Sequence, residues 1–224
     1  MTVMKQLINA GAVYEEGHYV YKSRKHGDKY IDLDRIFPNF LLTQMIGQKL
    51  AKPFIFKRPR QGYRPIEVVA APAVGGIALA YQAAHYFWAQ GDSVDVVWAD
   101  KTDSLSGFDF ERAGFAAAVK GKNVLVVEDI LNTGGSVAGV CQAVETHGGT
   151  VAGVSVVVNR GLTTADQLNV PVLRAIDVVE FAAYDRNDCP FCGEGRPIAA
   201  DIGHGDEFQL NNPDYAGGYV LEAA

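Results

Sequence analysis

The sequence has no run of about 18 consecutive apolar residues, which excludes a membrane-spanning helix read from hydropathy. It also lacks a basic excess. Twenty Lys and Arg stand against 26 Asp and Glu, for a net charge of −6 with no long block of like charge, so a generic surface tracking nucleic-acid phosphates is not expected. The cluster Lys22, Arg24, Lys25 and His26 is local and calls for a local explanation. The N-terminal MTVMKQLINAGAVYEEGHY offers neither a continuous apolar core nor a convincing cleavage site, so no secretory signal is expected. Three cysteines, Cys141, Cys189 and Cys192, are too few for a disulfide framework and point to a reducing cytoplasm. Internal repeats and low-complexity tracts are missing. So are the two common nucleotide motifs, G-x-x-x-x-G-K-S/T and a G-x-G-x-x-G that follows a strand.

What is present is ordinary for a globular protein: 48% hydrophobic residues, 21% charged, and 24 glycines for tight turns. A length of 224 residues suits one domain with embellishments. Apolar runs at 66–71, 94–99, 123–128, 151–159 and 171–179 lack polar alternation, as expected of strands covered on both faces. Helical patterns separate them. Ile77, Ala80, Tyr81, Ala84 and Phe87 recur at helical spacing before Gly91, and Val137, Val140, Cys141 and Val144 form a stripe before Gly148. The pattern predicts an α/β fold with a mainly parallel twisted sheet flanked by helices, its core at 61–184. Residues 1–60 read as a hood or flap packed on that core: a short helix near Lys5 to Ala10, an alternating hairpin over 18–33, and a helix over Pro38 to Ala51 with Leu41, Leu42, Met45, Ile46 and Leu50 inward. Residues 185–224 read as an irregular extension of this single domain.

The chemistry concentrates in VLVVEDILNTGGSV, Val124 to Val137. Four apolar residues make a buried strand that delivers Glu128 and Asp129 at its C-terminal end, the edge beyond which open α/β sheets bind ligands. Asn132-Thr133-Gly134-Gly135-Ser136 follows directly before a helix. Glycines admit an anion close to backbone N–H groups, hydroxyls add donors, and the helix N-terminus is positive. A sugar phosphate suits this layout, with the phosphate in the cradle and vicinal hydroxyls on the carboxylates.

This string resembles the PRPP-binding signature of type I phosphoribosyltransferases, most closely the orotate enzymes. The resemblance, over roughly residues 15 to 200, implies that Glu128 and Asp129 hold the ribose hydroxyls. It assigns the 5-phosphate to Thr133, Gly134, Gly135 and Ser136, with Ile130, Leu131 and Asn132 part of the same PRPP-binding segment. AAPAVGGIALA (70–80) resembles the family's GPAxGGI loop, which implies pyrophosphate binding at Ala73, Val74 and Gly75. HYVYKSRKHGDKYIDLD (18–34) resembles the N-terminal segment in which a lysine reaches substrate, here Lys22, and two residues flank the orotate ring, here Tyr30 and Ile31. Arg160 in VVNRG matches an arginine that contacts the orotate carboxylate, and Asn132 stands where a threonine usually touches the base. WADKTDSLSGFDFERAGF (98–115) lies where the family carries its mobile catalytic loop, and Lys101 is the candidate cation for the departing pyrophosphate. With Asp129 it completes the candidate catalytic set.

Arg24 replaces a usual glycine and Gly27 a usual serine, which together with Asn132 leaves the base open. The expected activity is transfer of the phosphoribosyl group of PRPP to a pyrimidine base, orotate first, with Mg²⁺ carried mainly by PRPP and no protein metal ligand assigned. The expected assembly is a homodimer. The alternatives are transfer to another base, or a PRPP-sensing regulator that has lost catalysis, an idea prompted by the few cations in the loop. The pair Cys189-x-x-Cys192 reads as a structural tight turn in preference to a metal or redox site, since no further zinc ligand is well spaced unless His204 or another chain contributes one, and the histidines are scattered along the chain.

Overall fold

A computed structural model describes residues 2–55, 64–103 and 107–222. The expected boundary at residues 60 and 61 and the middle of the expected catalytic loop, 104–106, lie outside the described residues. The chain divides into two units, one of Met1–Met4 with Ile36–Val179 and one of Lys5–Arg35 with Glu180–Ala224.

The first unit is built on six strands: β1 (Val68–Pro72), β2 (Asp95–Lys101), β3 (Phe108–Asp109), β4 (Asn123–Leu131), β5 (Thr150–Asn159) and β6 (Leu173–Val178). Their order across the sheet is β6-β5-β4-β1-β2-β3, parallel except for the β2–β3 hairpin. The five apolar runs read from the sequence thus form the five parallel strands; β1, β4 and β5 are covered on both faces as anticipated, whereas β2 is only partly buried and the edge strand β6 has no buried residue. Along β4, residues 123–128 are all buried. Val68, Ala70, Val124, Val126, Val154 and Val156 meet Val137, Val140 and Val144 of a helix in one core cluster. That helix, α3 (Gly135–Thr146), follows β4, and α2 (Gly75–Ala89) follows β1.

Helix α1 (Phe40–Ala51) starts where Asn39 caps it, its side-chain oxygen accepting from the Leu42 amide at 3.1 Å. It belongs to the first unit. The inward face also differs from the expected one. Thr43, Ile46, Gly47, Leu50 and Ala51 are buried, whereas Leu41 is 72% exposed. Gly47 sets this rotation: a Cβ there would lie 2.3 Å from Cβ of Gln82, so α1 and α2 meet along a small-residue seam that a larger side chain would prop apart.

The second unit joins residues 5–35 with residues 180–224. Val13–Tyr14 pairs with Tyr30–Ile31, and Tyr19–Val20 pairs antiparallel with His26–Gly27, as the alternation of the segment predicts. The tail is more regular than expected. Ile198–Ala199 pairs with Tyr219–Val220, helix Gly205–Asn211 follows, and bridges Val20 to Gly203 and His26 to Tyr184 tie tail to hairpin. The basic cluster finds its local explanation here: Arg24 meets Glu207 at 2.6 Å, Lys25 meets Asp185 at 3.5 Å, and His26 is buried. Of the two departures from the expected pattern here, the one at Gly27 has a local cause. Arg24 keeps a left-handed backbone, φ +66°, the conformation a glycine would favour. At Gly27 a Cβ would lie 2.0 Å from the Tyr21 hydroxyl and 2.6 Å from the Ala182 carbonyl oxygen, so no serine fits.

Candidate functional site

In the first unit the chain runs from β1 to β2 on one side and then returns to place β4 on the other side of β1. The strand order therefore reverses between β1 and β4, and connections leaving their C-terminal ends diverge over a crevice. The two loops singled out in the sequence are these two connections.

From β4, Glu128 and Asp129 arrive near the strand end, with Ile130 and Leu131 as its last residues. Glu128 is 6% exposed, and its Oε1 accepts from the Asp129 amide at 3.1 Å; Asp129 Oδ1 accepts from the Ile130 amide at 2.6 Å. Asn132, Thr133 and Gly134 form the turn, Thr133 and Gly135 are exposed, and Ser136 lies in the first turn of α3. Gly134 adopts φ +84° as the residue before the helix. The N–H groups of that first turn have no partner within the helix, which is the physical basis of an anion cradle.

From β1, Ala73 and Val74 form the loop and Gly75 opens α2. The Ala73–Val74 peptide is cis, the Ala73 amide donates to the Ala99 carbonyl at 2.9 Å, and Val74 is exposed. The two loops meet at one point. A Cβ on Gly75 would lie 2.6 Å from Asp129 Oδ2, so the glycine admits that carboxylate against the start of α2. Asp129 thus faces the second loop, and the expected diol, phosphate and pyrophosphate residues share one edge of one sheet.

The turn after β5 braces the cradle, and sequence reading missed its residues. Arg160 and Gly161 amides donate to the Leu131 carbonyl at 2.8 and 3.2 Å. Thr163 Oγ1 donates to the Asn132 carbonyl at 2.7 Å, while the Asn159 side chain accepts from the Thr163 amide and donates to its carbonyl. Gly161 packs so closely that a Cβ would come within 1.8 Å of the Asn132 oxygen. The signal was the turn-rich NRGLTT, read there only for its arginine. Gly161→Ala should cost about 1–3 kcal/mol through overpacking, seen as a lower urea midpoint with unchanged slope.

Lys101 is the exposed last residue of β2, paired with Phe108 across the hairpin. Within the expected loop, Trp98–Lys101 end β2, Phe108–Asp109 form β3 and Phe115 opens a short helix, while the other described residues lie in no helix or strand. Arg112 is engaged there, its Nε 3.2 Å from Asp100 and its guanidinium over the Trp98 ring. Lys22, Tyr30 and Ile31 belong to the second unit. Lys22 is exposed; Tyr30 is half-buried and stacks on Tyr21; Ile31 is 2% exposed, which leaves Tyr30 as the member of that pair with open surface. A cavity of about 520 Å³ lined by Phe54, Ile66, Asn123, Val151 and Val172 lies at the opposite, N-terminal edge of the sheet, away from the carboxylates.

The chain matches the phosphoribosyl transferase domain family over residues 41–183. It is 37% identical over 188 residues to an orotate phosphoribosyltransferase of Caldanaerobacter subterraneus subsp. tengcongensis, covering 83% of this chain and 88% of that one. It is 29% identical over 195 residues to the enzyme of the same name from Thermotoga maritima, covering 87% and 95%. The crystal structure of orotate phosphoribosyltransferase from Aeropyrum pernix is similar in fold, with a TM-score of 0.59 over 79% of this chain and 93% of that one at 21% identity.

Proposed function

This chain belongs to the phosphoribosyltransferase family, and on that premise we propose that it transfers the 5-phosphoribosyl group of PRPP to orotate, giving orotidine 5'-phosphate and pyrophosphate. One observation carries the reading: the Asp129 carboxylate lies against Gly75, so the acidic pair and both glycine loops converge at the reversal between β1 and β4. The names of the relatives supply orotate as the acceptor.

The proposed roles follow from charge and shape. Thr133, Gly134, Gly135 and Ser136 take the 5-phosphate on backbone amides and hydroxyls. Glu128 and Asp129 accept hydrogen bonds from the ribose 2- and 3-hydroxyls. Ala73, Val74 and Gly75 take the pyrophosphate. Leaving-group departure builds positive charge on the anomeric carbon, as in glycoside cleavage, so the protein acts by positioning and by stabilising charge on the leaving group. Lys101 is the proposed cation for that charge. Arg160 suits a carboxylate on the base through its guanidinium fork, and Asn132 and Tyr30 are the further base-binding candidates.

Hard oxygen donors at the strand end fit Mg²⁺. The ion would be carried mainly by PRPP, Asp129 is a carboxylate that would help hold it, and when bound it would neutralise charge on the leaving pyrophosphate. We further propose a homodimer in the cytoplasm; no described helix is long and apolar enough to cross a membrane.

A panel of bases assayed with PRPP, with and without Mg²⁺, tests the assignment. Pyrophosphate release with orotate, abolished by EDTA, is expected. Turnover of a purine without turnover of orotate would overturn the choice of acceptor, and PRPP binding with no turnover of any base would overturn catalysis itself.

A further inference from the structure

We propose that His18, His26, Cys189 and Cys192 in the second unit bind one structural zinc ion, independently of the phosphoribosyltransferase reaction. The sequence offered Cys189-x-x-Cys192 as a tight turn without partners and treated the histidines as scattered. Folding corrects this: one ligand atom from each of the four residues lies within 4.8 Å of every other.

Four of the six separations among these ligand atoms lie between 2.9 and 3.7 Å, and none exceeds 4.8 Å. His18 Nε2 and His26 Nδ1 face each other at 2.9 Å. The Cys192 sulfur lies 3.3 Å from His26 Nδ1 and 3.7 Å from His18 Nε2, and the Cys189 sulfur lies 3.7 Å from His18 Nε2. Zinc bonds of about 2.0–2.1 Å to nitrogen and 2.3 Å to sulfur place neighbouring ligand atoms about 3.3–3.8 Å apart. A shift of a few tenths of an ångström at the two rings therefore accommodates the ion.

Each ligand is delivered by a defined local structure. The hairpin pairs Val20 with His26, and His18, two residues before Val20, comes to lie beside the His26 ring. Cys189 precedes the single turn Pro190–Gly193, in which the Gly193 amide donates to the Cys189 carbonyl at 3.1 Å; this folds the two sulfurs toward the same side. His18 Nδ1 lies 2.9 Å from the Arg196 carbonyl. Donation to that carbonyl fixes the proton on Nδ1 and leaves the Nε2 lone pair facing the cluster, the usual outer hydrogen bond of a metal-bound histidine.

Chemistry selects the metal and its role. Two sulfurs and two imidazoles at tetrahedral spacing favour zinc over hard cations. Two thiolates with a divalent ion are neutral together, which suits a site where His18 is 1%, His26 0% and Cys189 4% exposed. Four protein ligands leave no open position for substrate, so the role is structural. Two apolar clusters of this unit are small, Tyr19, Tyr21, Ala199 and Ile202 in one and Val20, Ile198 and Phe208 in the other, and small units commonly depend on a metal or disulfide.

The test is elemental analysis of the full chain, purified without chelator from zinc-supplemented medium, together with cobalt titration of the reduced, chelator-stripped protein. Expected are about one zinc per chain and the visible d–d and thiolate charge-transfer bands of tetrahedral cobalt. A Tm lower by at least about 5 °C on stripping, restored by zinc, should accompany them. Cys192→Ser and His26→Ala should each lose the stoichiometric metal. Because either variant could also misfold, the cobalt spectrum of the unaltered chain stands as the independent readout. Substoichiometric zinc with no tetrahedral cobalt bands, iron in place of zinc, or a Cys189–Cys192 disulfide in the freshly isolated protein would each overturn the proposal.

Discussion

Asp129→Asn is expected to lower kcat/KM for PRPP roughly a hundred- to thousand-fold while leaving the fold intact. Asparagine is nearly isosteric, and its side-chain oxygen can still accept from the Ile130 amide that Asp129 Oδ1 now engages at 2.6 Å. What disappears is the negative charge beside Gly75, at the point where the two loops meet. The substitution separates packing from charge, so circular dichroism and thermal midpoint should match the parent while calorimetry shows PRPP affinity lost. Parental affinity would remove Asp129 from the sugar-binding role.

Gly134→Val should abolish measurable PRPP binding. At φ +84° a β-branched residue is strained, and its Cβ would meet Leu168 Cδ2 at 2.6 Å. Both effects push the turn away from the start of α3, which would withdraw the amides assigned to the phosphate. A second change distinguishes them. Adding Leu168→Ala relieves the collision but not the handedness, so affinity should remain low; full recovery in the double variant would show that crowding alone was responsible. The proteolytic stability of the sheet should survive in both, since β4 remains buried along 123–128.

The parallel strands and the acidic-to-glycine string were legible because each depends on residues adjacent in the chain. Buried strands declare themselves as unbroken apolar runs, and a cradle at a helix start is written in consecutive residues. The inward face of Phe40–Ala51 was misread because periodicity scores large apolar side chains, whereas its neighbour selects the smallest: Gly47 sits against Gln82, and Leu41 faces outward. The brace behind the cradle was missed because Thr163 and Asn132 communicate through a backbone carbonyl, which no side-chain motif reports. The four-residue cluster was invisible for a different reason. Cys189 and His18 lie 171 positions apart, and only the pairing of the hairpin with the tail joins them.

The joining of residues 5–35 and 180–224 in one unit also constrains how the protein is made. During translation, residues 5–35 leave the ribosome long before their partners at 180–224 are polymerised, while the intervening Ile36–Val179 can already collapse on its own strands. The early hairpin must therefore wait, with Tyr19, Val20 and Tyr21 uncovered, until residues 180–224 have been made. A premature stop before Cys189 would accordingly leave a correctly formed sheet carrying a sticky, unclosed amino-terminal arm, a species for chaperones to hold or proteases to clear.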